Sequence, residues 1–216
     1  MTYLEAVNSV LRKLREDAVA TVSENVISQL VGDFINVTKK EVEDSWKWNA
    51  LRYTTIVTTS SGVFRYILTG SGDSPLIQDV WNDTDNSRVR KTSMSHLNSL
   101  FIDSSVQTGA PSLYGINGVS TDGDLQIDLY PKPDGVYSID FNMVLSQADL
   151  SADSDIILVP SRVVELGAWA LAVSERGEDG GASYNELDAK YKNALSDAIS
   201  IDAANQHSSE TTWCVN

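Results

Sequence analysis

The sequence predicts an α+β fold in which a four-helix body, made from both ends of the chain, carries an inserted antiparallel β-module. Apolar residues recur at helical spacing near both ends, and strand-rich stretches separated by turn residues fill the middle. The 216 residues are enough for a sizeable core. We expect a discontinuous helical body at 1–52 and 146–204, a β-rich module with a short helix at 53–145, and a flexible tail at 205–216.

The N-terminal residues predict a helical hairpin. Thr2 and Glu5 fit a capping box at the start of the first helix. Ser23 is the predicted N-cap of a second helix. Its apolar stripe consists of Val26, Leu30, Phe34 and Val37. A short connector between the two helices favours an antiparallel pair.

Two tryptophans, Trp46 and Trp48, lie where the helical pattern of "EVEDSWKWNALRY" gives way to an alternating one. Side chains two residues apart share a face on a strand but not on a helix. We therefore expect the second helix to end at Trp46 and the chain to leave the helical body at Trp48. Large aromatic side chains bury much area, so we predict that both anchor the domain junction.

The middle of the chain predicts strands and turns. "YTTIVTTSSGVFRYILTG", with Ser60-Ser61-Gly62 between two β-rich runs, predicts a hairpin, and "PLIQDVW" and "SRVRKTS" flank a second turn. Ser93 is the predicted cap of a short helix, "MSHLNSLFID". Three further strands are predicted in "SLYGING", "GDLQIDLYPKP" and "VYSIDFNMVL".

The C-terminal part predicts two helices and a polar tail. Pro160 precedes "SRVVELGAWALAVSERG", where the small residues Gly167, Ala168 and Ala170 allow close approach of another helix, within or between subunits. "SYNELDAKYKNALSDAISIDA" predicts the last helix. Trp213 and Val215 stand in the polar tail and are candidates for docking on a partner, since aromatic anchors concentrate binding energy.

Composition excludes several classes of partner. The 30 acidic and 16 basic residues give a net charge of −14, which opposes tight binding to nucleic acid. No apolar run approaches the roughly 18 residues of a membrane span, so we expect a soluble protein without a membrane partner. The N-terminus does not resemble a secretory signal, and the single Cys214 fits synthesis in a reducing cytoplasm.

The sequence predicts neither a catalytic site nor a metal or cofactor site. His96 and His207 are far apart, and the HExxH, paired-cysteine and G-x-S-x-G motifs are absent. The acidic turn beginning at Asp83 has Arg88 where a calcium loop requires glycine and Met94 where it requires glutamate. Paired carboxylates are recognised by their separation in space, so a carboxylate-dependent hydrolase stays open as an alternative.

The order of these features resembles the head-to-tail adaptor family of tailed bacteriophages, called tail tubular protein A in short-tailed phages. The resemblance runs from Tyr3 to Asp202 and includes "YLEAVNSVLRKLRE" with "ATVSEN" after it, and "FINVTKKEVEDSWKWNALRY". Its least generic part is "LQIDLYPKPDG", with "GAPSLYG" upstream and "LVPSRVVELGAWA" downstream. These stretches carry no catalytic motif.

The resemblance implies a non-enzymatic structural protein of the virion, made in the host cytoplasm and located at the head–tail junction. Its copies, usually twelve, would form a ring beneath the portal protein, join the capsid to the tail nozzle or next tail component, and line the DNA exit channel. The C-terminal segment, with Trp213 and Val215, would reach toward the portal. An acidic lumen would let DNA pass without tight binding. The alternative is a tail-associated binding module that recognises a glycan or receptor.

Overall fold

The computed structural model describes residues 1–72, 74–102, 106–177 and 182–206. The fold class is α+β, as predicted. By its internal contacts the chain divides into two compact units. The helical unit comprises Met1–Leu51 and the described residues from Ser146 onward, and the β unit comprises Arg52–Leu145. Most of the predicted flexible tail lies outside the described residues.

The helical unit is built around one central helix. Its elements are α1 (Tyr3–Lys13), α2 (Val26–Ser45), a single 3-10 turn (Asn49–Leu51), α4 (Ser161–Arg176) and α5 (Ala182–Asn205). The central helix is α4, which packs against α1, α2 and α5. A stretch without regular structure, 146–160, leads into it.

The two N-terminal helices begin with capping boxes. Thr2 Oγ1 accepts a hydrogen bond from the Glu5 amide (3.2 Å), and Glu5 Oε2 accepts one from the Thr2 amide (2.8 Å), as predicted. The cap of α2 is Asn25, whose Oδ1 accepts from the Ser28 amide (2.8 Å). The prediction of Ser23 was therefore wrong by two residues, because Asn25 and Ser28 complete a reciprocal pair.

The predicted apolar stripe of α2 lies on the outer side of the helix. Val26 is 79% exposed and Val37 is 50% exposed, whereas Val31 and Ile35 are buried. Apolar residues follow helical spacing on both sides of α2, so periodicity alone does not select the inner one. Close packing distinguishes the inner side. A Cβ on Gly32 would lie 3.0 Å from the Val22 side chain, so the side of α2 that carries Gly32 packs closely and needs a small residue there.

The β unit consists of two four-stranded sheets. The first has the order β1-β8-β3-β4 and the second the order β2-β7-β6-β5. All described pairings are antiparallel except that of β5 with β6, so the second sheet is mixed. The strands are β1 (Arg52–Thr58), β2 (Arg65–Ile67), β3 (Leu76–Asn82), β4 (Ser87–Arg88), β5 (Arg90–Lys91), β6 (Leu113–Val119), β7 (Leu125–Tyr130) and β8 (Ser138–Val144).

The first predicted hairpin is wrong. Strand β1 pairs with β8, and β2 pairs with β7 in the other sheet. The turn at Ser60-Ser61-Gly62 therefore carries the chain from one sheet to the other. Turn residues and β-rich runs indicate strands but do not specify which strand pairs with which. The second hairpin, β3 with β4, forms as predicted.

The short helix and the three later strands also form. Helix α3 is Met94–Ile102, and Ser93 Oγ accepts a hydrogen bond from the His96 amide (3.3 Å). An apolar cluster fills the core of the β unit. Phe141 on β8 and Tyr114 on β6 meet edge to face within it, with ring centroids 5.7 Å apart.

Candidate functional site

The two junction tryptophans are hydrogen-bonded within the helical unit. Trp46 follows the last residue of α2, in an extended conformation, and its Nε1 donates to Asp202 Oδ2 of α5 (2.9 Å). Trp48 is 2% exposed, and its Nε1 donates to the Val42 carbonyl (2.6 Å). Asn49 Nδ2 donates to Asp202 Oδ1 (3.1 Å). The bonds to Asp202 join the end of α2 to the end of α5, whereas the Trp48 bond stays within the end of α2. Anchoring of a domain junction stays a prediction.

Asp202 is a residue that sequence reasoning missed. It lies 156 residues from Trp46, and its carboxylate also accepts a hydrogen bond from Gln206 Nε2 (2.8 Å). Asp202 lies four residues after Ala198, on the half-buried side of α5, but nothing close to it in the sequence marks an aspartate there as the partner of an indole. The pairing of two chain ends therefore required the three-dimensional structure.

The small residues of α4 are buried inside the chain. Gly167, Ala168 and Ala170 all lie among the buried residues of the helix. A Cβ on Gly167 would clash with Thr38 Cγ2 of α2 and would lie 3.1 Å from the Tyr191 ring of α5. Of the two predicted alternatives, packing within the subunit is the one this burial supports. Contact with a neighbouring subunit through these residues stays a prediction, and it has little surface available.

Helix α2 contains a buried ion pair, and its lysine also bonds to the segment that follows the β unit in sequence. Lys39 Nζ donates to Glu43 Oε1 (3.1 Å) and to the Gln147 carbonyl (2.7 Å), and both charged side chains are fully buried. Burial raises the pKa of Glu43, and the adjacent Lys39 ammonium opposes that shift. Glu43 Oε2 has no hydrogen-bond partner within the described part of the chain.

The outer side of α2 forms an apolar surface, which we call the α2 ridge. Asp33 and Glu41 are exposed on the same side of the helix. A solvated helix surface normally carries polar residues, so a contiguous apolar one indicates a place of contact. The ridge consists of the exposed Val26, Ile27, Leu30 and Val37 with the half-buried Phe34.

A second apolar surface lies between α4 and α5, which we call the α4–α5 groove. It has a volume of about 430 Å³. Leu166 on α4 and Ala194, Ala198 and Ile201 on α5 provide its apolar lining, and Arg162 lies at its rim. Trp169 and Val173 continue the half-buried stripe along α4.

The outer face of the first sheet carries a mixed apolar and polar patch. Ile56, Asp140 and Trp81 lie side by side across β1, β8 and β3, and we call them the β-face patch. Ile56 is 62% exposed and Trp81 is 44% exposed. Asp140 Oδ1 is buried without a hydrogen-bond partner among the described residues. In the adjacent row, Thr54 Oγ1 donates to Asn142 Oδ1 (2.6 Å).

Three further points concern metal ligands, a membrane-spanning helix and the C-terminal residues. Within 1–72, 74–102, 106–177 and 182–206, no group of three metal-ligating side chains comes together. In the same ranges no helix is long and apolar enough to cross a bilayer. Trp213 and Val215 lie outside the described residues, so their docking on a partner stays a prediction.

Comparison with protein families identifies the class of protein to which the chain is similar. The family model described as SU10 adaptor protein matches residues 1–212, almost the entire chain. A search of curated proteins gave no match. The family is one of phage structural adaptors of the head–tail type, which confirms the expected class of virion protein in its coarser form. The narrower resemblance to tail tubular protein A stays a prediction. The chain belongs to the SU10 adaptor protein family.

Proposed function

We propose that this chain is a non-enzymatic head-to-tail adaptor whose copies form a ring beneath the portal, join the capsid to the tail and line the DNA exit channel. The observation that carries the proposal is the match of an adaptor family over residues 1–212. The partners are other copies of the chain, the portal protein and the tail nozzle or next tail component.

The net charge supports passage of DNA through such a ring. Each copy carries a charge of −14, which a ring multiplies around its axis. Acidic groups that face the lumen repel the phosphate backbone within about one Debye length, roughly 8 Å at physiological ionic strength. DNA would then move through the channel without adhering to its wall.

Electron microscopy of the purified chain mixed with its portal tests the proposal. We expect a ring of this chain on one face of the portal, and the number of copies follows from the symmetry of the images. The chain without portal is the control. A chain that stays monomeric with portal and is absent from mature particles would contradict the proposal.

The β-face patch favours a second candidate, a tail-associated module that binds a glycan. An exposed indole is suited to a sugar, because its ring packs on the sugar's C–H face, and the exposed Ile56 extends that apolar surface. A glycan array tests this candidate, with Trp81→Ala as the variant. Ile67→Ala, in the other sheet, is a matched exposed control. Equal binding by both variants, or none by the unmodified chain, would contradict it.

A further inference from the structure

We propose that the α2 ridge of one copy docks into the α4–α5 groove of the next copy, and that this contact repeats around the ring. The inference rests on the proposed ring and adds to it the two surfaces that meet. A closed ring of identical chains needs a heterologous contact, in which one surface of a subunit meets a different surface of its neighbour. The helical unit presents two such surfaces.

The first surface is convex and apolar. Leu30 and Val37 project from the middle of α2, and Val26 extends the ridge to its first residue. Residues on the opposite side of the helix, Val31 and Ile35, are fully buried in the helical unit. Apart from the half-buried Phe34, the residues of the ridge are exposed, although they have the composition of a core.

The second surface is concave and also mainly apolar. Ala194 and Ala198 provide little side-chain volume, so a depression forms between α5 and Leu166 of α4. Large side chains on a ridge and small side chains lining a groove are the complement that close helix packing requires. A leucine or valine of the ridge matches the scale of the depression.

The two surfaces point in different directions, as a head-to-tail contact requires. Helix α2 packs on α4 at Gly167, whereas Arg162 and Leu166 line the groove, and the buried Val163 lies between these two sides of the helix. One residue along an α-helix turns the side chain by about 100°. Leu166 of the groove therefore lies about 100° around α4 from Gly167, and Val37 of the ridge lies about 100° around α2 from Thr38, the residue that meets Gly167. One copy cannot fill its own groove with its own ridge.

The ridge side of α2 carries the acidic Asp33 and Glu41, and the groove carries Arg162 at its rim beside an acidic residue, Asp197. The pair that can attract across the contact is Asp33 with Arg162. Asp33 is exposed beside Leu30 and Val37, three residues after one and four before the other. Arg162 is exposed at the groove rim. Neither has an ion-pair partner within the described part of the chain, whereas Lys190, also at the groove, pairs with Glu186. Rim charges of this kind select orientation more than they add affinity.

Chemical cross-linking tests the contact. In a Cys214→Ser background, Leu30→Cys marks the ridge and Ala198→Cys marks the groove, and a flexible bis-maleimide joins cysteines that lie close together. We expect the chain with both cysteines to give a ladder of covalent multimers when it is mixed with portal. An equal mixture of the two single-cysteine chains should give dimers and no larger species, and each alone should give none.

The matched control pairs Leu30→Cys with Ser196→Cys. Ser196 is exposed on α5 but lies about 200° around the helix from Ala198, so the yield should fall severalfold. Dimers formed by Leu30→Cys alone would overturn the inference in favour of ridge-to-ridge pairing. In a separate chain that retains Cys214 and carries Ala198→Cys, a cross-link between these two cysteines, with none from Leu30→Cys in the Cys214→Ser background, would overturn it in favour of the C-terminal segment as the occupant of the groove.

The outcomes separate this inference from the proposed function. Rings on the portal without a ridge-to-groove cross-link would reject these surfaces and leave the adaptor proposal intact. A ladder formed by the chain in concentrated solution, with no binding to portal, would support the contact and count against the adaptor role. Absence of both rings and ladder would reject both.

Discussion

The helical unit and the β unit hold together in different ways. An apolar cluster fills the β unit, and all of its strands come from one continuous segment, Arg52–Leu145. The helical unit also has a buried apolar core, but it joins segments more than 100 residues apart, and several of the contacts between those segments are polar. Lys39 reaches Gln147, 108 residues away, and Asn36 Nδ2 donates to the Leu150 carbonyl (3.1 Å), 114 residues away.

The difference teaches where each unit obtains its specificity. Apolar packing in the β unit is non-directional and tolerates substitutions of similar volume. Polar contacts in the helical unit fix which residue meets which, because a misplaced partner leaves a buried group unsatisfied. The polar contacts therefore determine which side of α2 packs inside the helical unit. The apolar residues of the α2 ridge can remain on the outside.

Truncation of the β core should have the largest effect. Phe141→Ala removes a fully buried ring and should lower the free energy of unfolding by about 4 kcal/mol. Urea denaturation measures the loss, and hydrogen exchange shows which unit opens. Ile56→Ala, on the exposed face of the same sheet, is the control and should cost less than about 1 kcal/mol. Equal losses in the two variants would contradict this account of the core.

Breaking the buried ion pair should come next. Lys39→Met leaves Glu43 buried without its partner and should cost about 3 kcal/mol. The double variant Lys39→Met/Glu43→Leu removes both charges and should be more stable than the single one, as measured by urea denaturation. A double variant less stable than Lys39→Met would show that the pair contributes more than its desolvation costs.

Close packing at Gly167 should give an intermediate effect. Gly167→Ala places a Cβ against Thr38 Cγ2 and should cost about 2 kcal/mol, despite the better helix propensity of alanine. Thr38→Ser removes that methyl group and should recover part of the loss in the double variant. Thermal unfolding of the single and double variants measures the recovery. Additive losses would contradict the predicted contact.

Loss of the indole bond to α5 should be smaller. Trp46→Phe retains the ring but removes the donor to Asp202, and it should cost about 1 kcal/mol. Asp202→Ala is the companion variant: it also removes the acceptor for Asn49 and Gln206, so it should cost more than Trp46→Phe, and the double variant should lose less than the sum of the two. Hydrogen exchange at the end of α5 should increase in both. Unchanged exchange there would contradict the assigned contact.

The smallest expected effect depends on pH. Burial raises the pKa of Glu165, but hydrogen bonds from Lys13 and Ser9 outweigh it and hold the pKa below its ordinary 4.5. The folded state thus binds this proton more weakly than the unfolded state. The stabilisation is present above pH 4.5 and is lost as the pH falls through the folded pKa. Glu165→Gln should flatten this part of the profile, measured by urea denaturation at successive pH values; an unchanged slope would contradict it.

Local patterns predicted much of the fold. What they did not predict were contacts between residues far apart in the sequence. The capping box at Thr2, the helix after Ser93 and the hairpin β3–β4 depend on residues close in sequence. The partners of β1 and Trp46 are distant, and turn or helix periodicity does not encode them. Helical spacing predicted the apolar stripe of α2 that forms the ridge. Its exposure could not be predicted, because it depends on which side of α2 packs on α4.

The discontinuous helical unit also sets an order of events during synthesis. The β unit is complete in sequence once Leu145 has left the ribosome, whereas α1 and α2 still lack α4, against which both pack. Domains fold as units as the chain emerges. The earliest part of the polypeptide is therefore among the last to reach its final contacts. Until then the side of α2 that α4 will cover is open, together with the α2 ridge, to chaperones and to other nascent chains.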